Sequence, residues 1–264
     1  MGIRDWLRQI FGGRNGAGEN ADSVPATDDH NGREIAFEKS HAQRDAYWAS
    51  VGAVEKDVLG HLISPQLMGG PAWPTTRQAY RVVRRADTII IATDGMSDPF
   101  NDPERDGNGF GMELFVETPD IAPEHAGKPG DISQLSRSWA FELVSNVAST
   151  VAGAGGILPQ LERHGVLSME LPGVSQSYAI GVEVPAHYVT ADDSLGILLG
   201  VPVTAFPVRL ETMPLSPVTM VPITLITARE LETLRQGGAE ERNALAAKLA
   251  GSVQHRSQFR PAEA

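Results

Sequence analysis

Apolar and polar positions alternate most clearly between Thr88 and Glu117. Ile89, Ile90 and Ile91 form a β-branched run that meets the turn dipeptide Asp94-Gly95, which predicts a strand stopped by a turn. Beyond an acidic loop, Met112, Leu114 and Val116 alternate with Glu113, Phe115 and Glu117. This period of two predicts a second strand with two different faces. Trp139, Leu143, Val147 and Val151 then fall four apart, with Ala140, Val144 and Ala148 beside them. Such spacing predicts a helix laying a broad apolar face on the sheet. The glycines at 153, 155 and 156 stop it, because glycine tolerates the left-handed conformation of a helix end.

The closing section is equally legible. Val218 to Ile226 is an apolar strand, and Thr227 to Glu230 has the capping-box spacing in which each side chain satisfies an amide of the other. Leu231 and Leu234 face inward, Gly237-Gly238 ends that helix, and Leu245 and Leu249 sit on another. Upstream, Tyr47, Val51, Val54, Val58 and Leu62 keep helical spacing up to Ser64-Pro65, where proline restricts its predecessor. Trp73 plugs the edge of the core. Leu158 to Ser168 reads as a turn, whereas Val166 to Leu171, Ser177 to Val184 and Gly196 to Val203 read as strands. At the start, Ile3, Trp6, Leu7, Ile10 and Phe11 form one stripe, predicting an amphipathic helix over 1–11. So short a helix needs a surface to lie on, either its own domain, a partner or a membrane. Residues 12–33, rich in Gly, Asn and Asp, read as a flexible linker. The folded domain then spans 34–251, and 252–264 reads as a flexible tail.

Composition narrows the function classes. The 264 residues are 41% hydrophobic and 21% charged, ordinary for a soluble domain. A net charge of -11 argues against non-specific binding to nucleic acid or anionic lipid, and suits solubility or a basic protein partner. The absence of cysteine excludes disulfides, thiolate zinc sites and a cysteine nucleophile, and fits a reducing cytoplasm. No apolar run approaches the roughly 18 residues of a membrane span, and Met1 to Phe11 lacks the pattern of a signal peptide. Arg77, Arg81, Arg84 and Arg85 form a basic cluster in an acidic chain, which reads as a salt-bridged face.

Catalytic machinery is not visible. Asp94, Asp98, Asp102 and Asp106 make an acidic ladder able to hold a divalent cation, and Ala92 to Asp98 resembles the metal-binding aspartate motif of metal-dependent serine/threonine phosphatases. That resemblance implies a hydrolase in which Asp94 and Asp98 hold metal and activate water. The upstream Asp-Gly-His-Gly and downstream Asp-Asn motifs of those enzymes are absent. Ser175 lacks the second glycine of a nucleophile elbow. The glycines at 153–156 miss the dinucleotide fingerprint, and the histidines are scattered. No cofactor is implied.

The stretch Gly95-Met-Ser97-Asp98-Pro-Phe-Asn-Asp102, followed by Gly109-Phe-Gly111-Met-Glu113-Leu, resembles the signature of the Suppressor of fused domain. The helix from Trp139, the stretch Leu195 to Pro202, and Thr219 to Leu231 with Gly237-Gly238 are similar to later elements of that family, in the same order. The resemblance covers residues 34–251. It implies an α+β fold, a twisted, mainly antiparallel sheet packed by helices, in a single domain that binds protein and carries no catalytic residues. Animal members hold a transcription factor of the Hedgehog pathway, using a second domain for which this chain has no room. Bacterial relatives are proposed immunity proteins against polymorphic toxins, and an Arg/Ala/Gly-rich composition suits a bacterial, cytoplasmic protein of that kind. Gly95, Ser97, Asp98, Gly109, Gly111 and Glu113 then have structural roles: the glycines permit unusual backbone, Ser97 and Asp98 cap the turn, and Glu113 occupies one face of its strand. A regulatory adaptor tethered by the 1–11 helix is the remaining alternative.

Overall fold

The computed structural model describes residues 26–60, 65–100, 105–252 and 255–262. The helix expected over 1–11 and the first part of the expected linker lie outside them. The chain separates between Glu34 and Ile35 into a small N-terminal unit and the body that contains the sheet. In order, the elements are α1 (Ala26–Val51), β1 (Ala53–Gly60), β2 (Ala79–Arg84), β3 (Ile89–Asp94), β4 (Met112–Thr118), the single turn α2 (Pro123–Ala126) and α3 (Trp139–Gly153). There follow α4 (Leu158–His164), β5 (Leu167–Pro172), the single turn α5 (Ile180–Glu183), β6 (Ser194–Leu199), β7 (Arg209–Leu210), β8 (Val218–Ile226) and α6 (Ala228–Gly251). The sheet runs β1-β2-β3-β4-β8-β6-β5, with β7 added along β8. Among the described residues only β4 with β8 is parallel; the other pairings are antiparallel. The expected α+β class with a mainly antiparallel sheet is therefore what the chain adopts.

Period-two alternation sorts the core into two faces. Val82, Ile91, Leu114 and Val116 join the cluster under α3, which supplies Trp139, Leu143 and Val147. Val83, Ile90 and Phe115 point the other way and pack with Trp48 of α1 and with Leu210 and Met213. A third cluster seats Leu231, Leu234 and Leu249 of α6 on Leu198 and Ile226. With both faces covered, every residue of β4 is buried, including Glu113 and Glu117. Side chains as large as Trp139 and Phe115, with no exposed surface, each contribute about 1.5–3 kcal/mol by leaving water. Trp73 is buried in the first cluster, as expected.

Several elements differ from the sequence reading, each for a local reason. Val54 and Val58 lie on strand β1, not on a continuing helix. Gly52 breaks the helix and leaves no room for a side chain, since a Cβ there would meet Arg84 O at 2.7 Å. A register shift between Val54 and Val58 disguises the period of this edge strand, and bulges of this kind are common on edges. Residues from Ala26 on, inside the stretch expected to be linker, belong to helix α1. Leu158 to His164 is helical, with Pro159 in its first turn, where a missing N–H costs nothing. The 177–184 stretch holds the turn α5, not a strand, because Glu142 accepts from the amides of Tyr178, Ala179 and Ile180 and coils them. Gly238 (φ 76°, ψ -138°) interrupts α6 where two helices were expected to meet, and the capping box of Thr227 and Glu230 is formed.

The expected flexible tail also gives way. His255 and Ser257 are buried in a fork of the sheet. Pairing of β4 with β8 stops at Phe115 and Pro222, and proline has no N–H with which to extend a ladder. Beyond that point Ser257 enters: its N–H donates to Glu117 O at 2.8 Å, and its hydroxyl accepts from Leu225 N at 3.0 Å and donates to Ile223 O at 2.9 Å. Splayed strands would leave those groups unsatisfied, and burial makes that costly.

Candidate functional site: an acidic loop closed by arginines

The loop after β3 folds around one carboxylate from β4. Glu113 accepts hydrogen bonds from the backbone amides of Gly95 (3.1 Å), Met96 (3.3 Å) and Ser97 (2.9 Å). The hydroxyls of Ser97 and Thr93 donate to it as well, each at 2.6 Å. Successive amides converging on one acceptor form an anion-binding concavity, filled here from within the chain. The concavity requires glycine. Gly95 has φ 148°, and a Cβ there would meet Arg77 O at 2.5 Å; Gly109 has φ 52°, and its Cβ would meet Met96 O at 2.4 Å. Gly111 closes the following turn, donating to Asn108 O at 2.7 Å and accepting from Thr219 N at 2.9 Å.

Arg44, from the buried stripe of α1, reaches into this loop with no exposed surface. Its Nε donates to Asp94 Oδ1 at 3.1 Å, its Nη2 pairs with Asp98, and its Nη1 donates to Ser97 O at 3.4 Å and Ser97 Oγ at 3.3 Å. Asp94 is held again by Arg77 and by Arg81 at 2.8 Å. Arg81 also pairs with Asp45 at 2.5 Å. The second oxygen of Asp98 accepts from Thr75 Oγ1 at 3.2 Å. The three guanidiniums balance Asp94, Asp98 and Glu113, so the interior of the site is neutral and the chain's negative charge resides elsewhere. Arg84 and Arg85 of the same basic cluster pair with Glu55 and Glu117, the salt-bridged arrangement expected.

Electrostatics separate the two inner carboxylates. Burial alone would raise Asp94, but Arg77, Arg44 and Arg81 outweigh it and hold the carboxyl well below its usual range. Burial pushes Glu113 up from its ordinary value against the opposing pull of Arg44. Burial would likewise lower Arg44, yet Asp98, Asp94 and Glu113 raise it. Beside the loop a cleft of about 410 Å³ opens between Trp73, Thr75, Phe100, Arg105 and Phe110. The Arg105 guanidinium lies 3.6 Å over the Phe100 ring. Arg105 is the only ionisable side chain of that lining among the described residues.

Comparison with family models, with curated proteins and with solved structures finds no match. The geometry therefore carries the functional reading. It brings Gly95, Ser97, Asp98, Gly109 and Glu113 into one knot with Gly111 at its edge, and it adds Asp94. Asp106 is exposed, and Asp102 lies outside the described residues. For a divalent cation, the carboxylate oxygens of Asp94 are taken by guanidiniums and those of Asp98 by Arg44 and the Thr75 hydroxyl, and no group of three or more acidic or imidazole side chains among the described residues is placed to hold an ion. Sequence reasoning missed Arg44, Thr75 and Ser40, whose hydroxyl donates to Asn108 Oδ1 at 2.9 Å. The signal was present: Phe37, Ser40, Arg44 and Trp48 fall on one helical stripe, and all four are buried.

Proposed function

We infer that this chain is a non-catalytic protein-binding domain of the Suppressor of fused type. In this reading it is an immunity protein that acts in the bacterial cytoplasm and neutralises a basic toxin domain. One observation carries the inference: Arg44 sits between Asp94 and Asp98, so the motif carboxylates brace a backbone and are not free to activate water. The charge supports it further. With the inner ions balanced, the net -11 of the chain faces outward, where it accelerates encounter with a basic partner and disfavours acidic competitors. Among the described residues, no single helix is long and apolar enough to cross a membrane.

The test is co-expression with the product of the adjacent gene in the native host, together with capture of partners on the tagged chain. Rescue from toxicity, with a stoichiometric complex that weakens as salt rises, is the expected result. A chain that captures nothing and rescues nothing sinks the reading. Stoichiometric manganese or magnesium binding abolished by Asp94→Asn would instead establish the hydrolase alternative.

A further inference from the structure

The C-terminal segment turns at residues 255–258, where Gln258 N donates to Arg256 O at 2.9 Å, enters the fork between β4 and β8 with Ser257, and runs on over Tyr188, Asp120 and Glu230 as a peptide lies in a receptor. Its main chain is held at residue 255 and at each of residues 257–260: Thr224 Oγ1 donates to His255 O (2.8 Å), Ser257 N to Glu117 O (2.8 Å), and Tyr188 OH to Gln258 O (3.1 Å). Phe259 N donates to Asp120 Oδ2 (2.6 Å), Arg260 N to Tyr188 OH (2.7 Å), and His187 Nε2 to Arg260 O (2.8 Å). Main-chain contacts of this kind recognise a backbone whatever its sequence.

Side chains add selectivity of one sign. His255 Nε2 lies 2.8 Å from Glu117 Oε2, and Arg256 lies 3.2 Å from Glu117 and 3.4 Å from Asp87. Arg260 grips Glu230 with both terminal nitrogens, each at 2.6 Å. Phe259 stacks between Trp139 (5.1 Å) and Tyr188 (5.9 Å). The groove thus presents Asp87, Glu117, Asp120 and Glu230, with Arg84 and Arg85 beside Asp87; Arg84 is paired with Glu55 and Arg85 with Glu117, so without the segment these acidic groups outnumber the arginines beside them.

We propose that this groove is a receptor for basic peptides of the pattern Arg-Ser-x-Phe-Arg, occupied in the resting chain by residues 255–260, and that a basic segment of the protein partner displaces them. The proposal rests on the protein-binding reading and specifies its site. The chain's own segment then acts as an internal competitor, lowering apparent affinity for weak partners and selecting those with matching charge.

The experiment uses the full chain with a protease site inserted between Ser252 and His255. After cleavage, a fluorescent peptide of residues 255–262 is followed by anisotropy, and circular dichroism reports the fold. The labelled peptide is expected to exchange into the groove. An alanine-rich peptide keeping only Arg-Ser-x-Phe-Arg should compete within about tenfold, and one with both arginines changed to glutamate should compete about 100-fold more weakly or worse. Restoration of fold by the peptide, if cleavage unfolds the chain, also supports the proposal. A cleaved chain that stays folded without exchanging overturns it. So does an unfolded chain that the peptide does not restore, or equal competition by the acidic peptide. Failed exchange with a partner captured elsewhere removes the groove and leaves the binding reading intact; exchange with no partner found does the reverse.

Discussion

Replacing Arg44 with methionine keeps an unbranched chain of similar length and removes only the charged head. The loss is concentrated on Asp98. Asp94 retains Arg77 and Arg81, but Asp98 is left with Thr75 Oγ1 at 3.2 Å and Arg77 at 3.9 Å. A buried charge stripped of its partner costs about 3–5 kcal/mol. For a domain of this size, 1 kcal/mol moves the melting midpoint by about 2–4 °C, so Arg44→Met should melt about 6–20 °C below the parent. The assay is urea and thermal unfolding, followed by circular dichroism and by emission of Trp48, Trp73 and Trp139, all buried. A cycle with Asp98→Asn separates charge from packing, because a neutral side chain at 98 has no need of the guanidinium. The double variant should be more stable than the sum of the single losses by about 1–3 kcal/mol. A single-variant loss under about 1 kcal/mol, or strict additivity, would refute the closed network and return Asp98 to the list of available ligands.

Further outcomes follow from the same geometry. Gly109→Ala places a Cβ 2.4 Å from Met96 O at φ 52° and should cost at least about 2 kcal/mol in urea unfolding. Glu113→Gln turns one acceptor of the loop amides into a donor and should cost about 1–3 kcal/mol; amide exchange at Gly95 to Ser97 should accelerate with it. Phe259→Ala removes the ring between Trp139 and Tyr188 and should cost about 2 kcal/mol, whereas a frayed terminus would lose nothing. In acid the signs oppose. Asp94, held low in the fold, contributes stability that is fully present above the unfolded carboxylate value, about 3.9, and fades as pH falls through its lower folded value. Glu113, held high, gains relative stability as pH falls through its own folded value. The unfolding free energy should therefore stay nearly level down to about pH 4 and fall below it; a steep loss already at pH 6 would contradict this.

What was legible in the sequence shares one property: the pattern was produced by a single local rule. Ile89 to Asp94 and Val218 to Ile226 are short apolar runs, Met112 to Thr118 has period two, and Thr227 with Glu230 satisfies amides three residues away. The misreadings come from long-range contacts overriding local periodicity. Val54 and Val58 keep helical spacing, but the edge of β2 claims them. Ser257 looks like any polar tail residue until Pro222 opens a gap that its hydroxyl fills. Arg44 was hidden differently. A charged residue on an apolar stripe weakens the very signal that identifies the stripe, and its partners lie far along the chain. The acidic loop itself was conspicuous, yet its meaning depended on cations drawn from α1 and β2.

The parallel seam between β4 and β8 bears on the order of assembly. β4 and β8 are separated by roughly a hundred residues of chain, so their docking carries a large closure entropy and comes late. The arginine knot draws all its members from Arg44 to Glu113, and can lock while the ribosome is still making the second half. The emerging chain then holds a rigid meander whose last strand has an unsatisfied edge, waiting for a seam that only the final fifth of the polypeptide can close.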